Sequence, residues 1–240
     1  MWSRLAWILP VLVLAGSAAQ QPLAAQAWQC TAPLRLSRPT LELPPPGAIR
    51  RVPVAGFTLA LSWSPEFCKG RELDPAKQLQ CAGKIGDFGF VLHGLWPAAK
   101  GPDNPMWCRT SGLISRQLMS DNICMTPDVQ LLQHQWAKHG SCMARRPETY
   151  FGAAKLMFEA IDFPDMAALS RKPLTAADLA EKFETYNEGL PASAVRVQLN
   201  ERGWLQEVRI CLGKRFLPQA CPRFAEGAPA KAQVKIWRGR

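Results

Sequence analysis

Large apolar residues alternate with small or polar ones along Phe57-Thr58-Leu59-Ala60-Leu61-Ser62-Trp63. That period of two predicts a half-buried β-strand. The run Phe88-Gly89-Phe90-Val91-Leu92 is apolar throughout and predicts a second, more deeply buried strand. Alternation returns over residues 194–199 and 207–212, and the turn residues from Asn200 to Gly203 between them predict a hairpin. Three helices are expected. Thr126 caps the first, with Pro127 at its first position and Gly140 as its stop. A second covers residues 148–161, and a third opens at Thr175 with Asp178 three residues on, a variant of the capping box. Strands and helices mix without regular βαβ alternation. The expected fold is therefore α+β, a central antiparallel sheet with surrounding helices. No repeat or linker interrupts residues 54–240, so one domain is expected there.

Ahead of that domain the pattern changes. A short basic start ending at Arg4 precedes an apolar run from Leu5 to Ala15, and Ala25-Gln26-Ala27 fits a cleavage site, with Ser17-Ala18-Ala19 as an earlier alternative. Residues 1–27 thus read as an export signal. The run is too short for a bilayer core of about 30 Å, and Pro10 interrupts it. Residues 28–53 are rich in proline and arginine, include Pro44-Pro45-Pro46, and predict an extended leader. No later stretch has the roughly 18 apolar residues that a membrane helix needs. A periplasmic or secreted protein without a membrane partner is expected.

An oxidising compartment changes the meaning of the eight cysteines, Cys30, Cys68, Cys81, Cys108, Cys124, Cys142, Cys211 and Cys221. They read as up to four disulfides stapling the domain. No two of them have the close C-x-x-C type of spacing of a structural zinc site, so metal is disfavoured. Spacing leaves the connectivity open; proximity alone points to Cys211 with Cys221. At 48% hydrophobic and 20% charged residues, the chain excludes intrinsic disorder as a class. Lysine and arginine number 29 against 19 acids, a net +10 that becomes +9 once residues 1–27 are removed. Such an excess suggests a polyanionic partner.

Only three histidines are present, in two short segments: His93 before Gly94, and His134 and His139 in His134-Gln135-Trp136-Ala137-Lys138-His139-Gly140. On an α-helix, Gln135, Lys138 and His139 share one face. Docked beside a strand ending at His93, that face would gather two imidazoles, an ammonium and an amide. From spacing alone, a structural role for these histidines is as good a reading as a catalytic one. Two imidazoles can work as base and acid, and a lysine can stabilise charge on phosphoryl oxygens. An RNA phosphodiester carries its own nucleophile, the 2′-hydroxyl, so such a group needs neither metal nor cofactor, and DNA would not react.

The two segments closely resemble the active-site signatures of the ribonuclease T2 family, secreted disulfide-bonded endoribonucleases with an α+β fold. The first is His93-Gly94-Leu95-Trp96-Pro97, preceded by the strand from Phe57 to Trp63 and by Ser64-Pro65-Glu66-Phe67-Cys68. The second is His134-Gln135-Trp136-Ala137-Lys138-His139-Gly140-Ser141-Cys142. The likeness covers roughly residues 57–142 and fades towards the C-terminus. It implies single-stranded RNA as the substrate, His139 as the base for the 2′-hydroxyl and His93 as the acid for the leaving oxygen. Lys138 would stabilise the phosphorane, His134 bind phosphate and Trp96 stack on a base. It also implies a Cys108–Cys142 bridge and favours Cys211–Cys221.

Two positions depart from the family pattern. Gln135 stands where glutamate is usual, and an amide cannot balance Lys138, so lower turnover is expected. Ala98 stands where many members have an acidic base-contacting residue, which leaves base preference open. At a helix end, the dipole would favour protonated His139 while Lys138 opposes it, and an optimum below neutrality is expected if the dipole prevails. Arg145, Arg146, Lys214, Arg215 and the tail cations read first as solvated surface, and residues 232–237 as a closing edge strand. Three functions remain: an endoribonuclease acting as a monomer, a weakened relative that binds RNA or another anionic partner, and a metal-dependent phosphoesterase, for which the acidic ligand motifs are lacking.

Overall fold

The computed structural model describes residues 27–239, so the expected export signal lies outside the described residues except for Ala27. In chain order, Ala27–Trp28 (β1) stands at the start of the leader and is followed by Gly56–Trp63 (β2), Ser64–Cys68 (α1), Gln78–Cys81 (α2), Asp87–Phe88 (β3) and Phe90–Ala98 (β4). Helices Arg116–Asn122 (α3), Val129–Gln135 (α4), Ser141–Met143 (α5), Pro147–Glu159 (α6), Met166–Leu169 (α7) and Ala176–Tyr186 (α8) follow. Val195–Leu199 (β5) and Leu205–Gly213 (β6) form the hairpin. The main sheet is antiparallel in the order β4-β2-β6-β5, and β1 pairs with β3 apart from it. The fold is α+β, as the mixed pattern implied.

The period of two divides the sheet into unlike faces. Leu59 and Leu61 of β2, Val208 and Ile210 of β6, and Val195 and Val197 of β5 are buried in one core. Phe90, Leu92 and Leu95 join them from β4, with Tyr150, Phe151 and Phe158 from α6 and Leu179 and Phe183 from α8. Each such side chain taken from water contributes about 1.5–3 kcal/mol. The alternate residues Thr58, Ala60, Ser62, Arg196, Gln198, Glu207 and Arg209 share the other face, where the functional groups lie.

Both sheet edges are covered. Leu92 N donates to Met125 O at 2.9 Å, and Thr126 Oγ1 donates to Leu92 O at 2.7 Å. Thr126 therefore does not cap the helix as expected; Asp128 does, accepting from Leu131 N at 2.9 Å. On the far edge, Ala228 N donates to Val197 O at 2.8 Å. The tail is not an edge strand of the sheet: it makes isolated bridges, Thr175 with Gln233 and Trp204 with Lys235, while Val234 and Ile236 enter the core. Thr175 and Asp178 cap α8 reciprocally, as the sequence predicts.

Four disulfides join Cys30–Cys124, Cys68–Cys81, Cys108–Cys142 and Cys211–Cys221. The first anchors the leader, which is extended and packs on the domain with Leu36 buried. Among the described residues, no helix is long and apolar enough to cross a membrane.

Candidate active site

His93 does not end a strand. It lies within β4, where the pairing with β2 slips: Ala60 faces Gly94 and Leu61 faces Leu92, leaving His93 as the extra residue of a β-bulge. A bulge re-aims one side chain, and here it turns the imidazole onto the polar face. Its Nδ1–H donates to Glu207 Oε2 at 2.6 Å. Glu207 is buried and also accepts from Arg209 Nε at 2.6 Å and from Ser62 Oγ at 3.3 Å. Burial pushes its carboxyl up, but the hydrogen bond and charge of His93, together with Arg209, outweigh that and hold it below its ordinary range.

The second segment is not a plain α-helix that stops at Gly140. α4 runs into a π-helical turn, Trp136–Gly140, and continues as α5, with Ser141 N bonded back to Trp136 O. A π turn sets residues five apart on one face, where an α-helix would set those four apart. Consequently His134 and His139 come together, their ring centroids 6.5 Å apart. Gly140 serves packing: a Cβ there would lie 2.6 Å from the Trp136 ring and 2.8 Å from that of Tyr150.

Trp96 joins the two segments. Its ring stacks on His139 at 5.5 Å and meets His93 edge-on at 5.0 Å, and its indole N–H donates to Gln135 Oε1 at 2.8 Å. Gly94 permits this approach, since a Cβ there would fall 2.0 Å from Gln135 Oε1. The Arg209 guanidinium lies over the Trp96 ring, 5.2 Å from its centroid.

His139 is the most perturbed group. Burial first, then the charges of Lys138, His134 and His93, push its imidazole down to about 2. Its Nδ1 is buried without a hydrogen-bond partner among the described residues. The expected contest between helix dipole and Lys138 is thus corrected: His139 sits inside a continuing helix, and desolvation dominates. His134 Nδ1–H donates to Glu42 Oε2 at 2.5 Å, and Trp107 meets its ring edge-on at 5.7 Å. The φ of Trp107 is +56°, and its N–H donates to Lys138 O at 2.7 Å. The neighbouring Cys108–Cys142 bridge ties that loop to α5.

All six residues singled out in the two segments therefore belong to one locale. Glu207, Arg209, Glu42 and Trp107 were missed. A charged Glu207 in an otherwise alternating strand, facing away from the core residues Val208 and Ile210, was a usable signal; Glu42 left none. Three hollows surround His93 and Trp96. One of about 380 Å³ contains Glu42, His93 and His134. Another of about 630 Å³ contains His93, Glu207 and the cations Lys69, Arg71, Arg202 and Arg209. A third of about 560 Å³ lies beyond Trp96, with Thr58, Arg196 and Arg209. Among the described residues, no group of three or more histidine, cysteine or acidic side chains is placed to hold a metal ion.

This sheet, with imidazoles brought to it from a strand bulge and a π turn, defines the class. Residues 55–221 match the ribonuclease T2 family, and the chain belongs to that family. A probable ribonuclease of Haemophilus influenzae is 31% identical over 73% of this chain and 64% of its own length. A ribonuclease of Aeromonas hydrophila is 30% identical over 66% of this chain and 71% of its own. The solved SF11-RNase of Nicotiana alata, associated with self-incompatibility, superposes with a TM-score of 0.60 at 20% identity, covering 78% of this chain and all of that one.

Proposed function

We propose that the protein is a metal-independent endoribonuclease that cleaves single-stranded RNA by attack of the 2′-hydroxyl on the adjacent phosphorus. The observation that carries this reading is the convergence on Trp96 of two imidazoles in opposite environments. His93 has its Nδ1 held by a buried carboxylate, which fixes the tautomer and leaves Nε2 for the leaving oxygen. His139 is desolvated and neutral, so an unprotonated ring nitrogen is available as the base.

His139 takes the 2′-hydroxyl proton as the 2′-oxygen bonds to phosphorus. The bond to the 5′-oxygen breaks, and His93 protonates that oxygen. Water then opens the 2′,3′-cyclic phosphate with the two roles exchanged, leaving a 3′-phosphate. Lys138 and His134 stabilise the phosphoryl oxygens, Gln135 orients Trp96, and Trp96 stacks on a base. Glu207 acts through His93 as a positioning residue. Because His139 stays neutral far below 6.5, the base remains competent in acid. A bell-shaped rate profile with its maximum on the acidic side of neutrality is expected; a flat profile from about pH 4 to about pH 8 would overturn the paired-imidazole mechanism.

Four disulfides support a periplasmic or secreted location. A second reading, a weakened relative that binds RNA or another anion, is favoured by one observation: the buried Gln135 supplies no carboxylate beside Lys138. Incubation with RNA and with DNA in EDTA separates the possibilities. RNA-only cleavage to 2′,3′-cyclic ends supports the enzyme, binding without cleavage the second reading, and EDTA-sensitive cleavage refutes both.

A further inference from the structure

The leader is anchored by the Cys30–Cys124 disulfide and meets α4 at Gln130. Its stretch Thr40-Leu41-Glu42-Leu43 is turned against hydrophobic preference: Leu41 is 47% and Leu43 65% exposed, while the Glu42 side chain is only 22% exposed. An extended segment free to choose would bury its leucines. Specific polar contacts hold it the other way. Gln130 Nε2 donates to Glu42 Oε1 at 2.6 Å, and the Gln130 side chain also accepts from Thr40 N at 2.8 Å and donates to Thr40 O at 3.2 Å. Gln130 and His134 stand one turn apart on α4, so the same grip sets Glu42 Oε2 against His134 Nδ1 at 2.5 Å.

We propose that Glu42 is a positioning residue for His134, so that the leader, outside the family-matched residues 55–221, completes the phosphate-binding side of the site. The inference rests on the endoribonuclease reading. The arrangement repeats the one at His93: in both, a glutamate from another element takes Nδ1, fixes the ring and leaves Nε2 free, and both histidines line the same hollow. Glu42 thereby brings a carboxylate to the cluster whose signature position carries an amide, Gln135.

The test measures RNA cleavage and ring signals in the full chain. Glu42→Ala is expected to raise KM about tenfold with kcat within about twofold, the size of effect that supporting partners of a bound histidine have elsewhere. Glu42→Gln, which keeps an acceptor oxygen, recovers part of the loss. Leu43→Gln, on the exposed side, leaves KM unchanged. In a His134→Ala background, Glu42→Ala adds nothing further, because its effect passes through the missing ring. A lower KM in Glu42→Ala would mean that the carboxylate blocks the phosphate position, and would overturn the proposal. So would an unchanged KM, or losses that add to those of His134→Ala. Ring ¹⁵N resonances without RNA decide separately: Glu42→Ala should move those of His134 and spare those of His93. If the unsubstituted protein does not cleave RNA, the enzymatic reading fails and these resonances alone judge Glu42, with unmoved His134 signals refuting its role.

Discussion

His139 and Gln135 are the residues at which chemistry and stability meet. The unfolded chain takes up a proton on His139 near 6.5, whereas the folded protein resists until about 2. Folding stability contributed by the neutral ring is therefore complete above 6.5 and is lost progressively as pH falls towards 2, at most about 1.4 kcal/mol per pH unit. His139→Gln should be inactive yet gain stability relative to the parent as pH falls from about 7 to about 4. Thermal melts across that range check it; a pH-independent difference would contradict the buried neutral ring. Gln135→Glu would place a carboxylate beside Lys138 and His139 while keeping an acceptor for the Trp96 indole. A gain in kcat of order tenfold is expected, below the ~10²–10⁴ of a full acid–base step. No gain on RNA homopolymers would show that the amide is not what limits turnover.

At the scale of elements, the site depends on two departures from regularity, the bulge in β4 and the π turn after α4. Tyr150 of α6 supports the first. Its hydroxyl donates to Leu95 O at 3.1 Å and receives Leu95 N–H at 3.4 Å, two residues from the bulged His93, inside the core. Burial pushes this phenol up, so it remains a donor throughout the working range. Tyr150→Phe keeps the ring and strands two buried backbone groups, at an expected cost of about 1–3 kcal/mol. Denaturant titration gives the loss, and a neutral substitution would mean that strand β4 is held by other means. Neither irregularity was visible in the sequence. Phe88 to Leu92 read as a strand ending at His93 because glycine follows, whereas Gly94 serves close packing against Gln135 and Trp96. Likewise, α-helical spacing grouped Gln135, Lys138 and His139, and the π turn also brings His134 to the His139 ring.

For the whole molecule, net charge matters less than where it lies. The basic pairs and tail that stand out in the sequence are absent from the hollows around His93, while Lys69, Arg71, Arg202 and Arg209 line one of them. Arg71→Gln and Arg202→Gln should each weaken RNA affinity and shallow its dependence on salt by about one unit of log–log slope. Lys231→Gln and Arg238→Gln, which line none of these hollows, serve as comparisons and should leave the slope unaltered. Equal effects from all four would show that the excess charge acts only as a diffuse field.

What the chain settled unaided is whatever depends on neighbours in sequence. Period-two alternation gave the sheet and its hairpin, a local hydroxyl–carboxylate pair gave the start of α8, and the two histidine segments gave the family. Pairing across space decided the rest. Glu207 lies 114 residues from His93, and Glu42 lies 92 from His134. No local pattern can announce such partners, because their value appears only once burial strips water from the imidazoles and makes each nearby carboxylate or cation count.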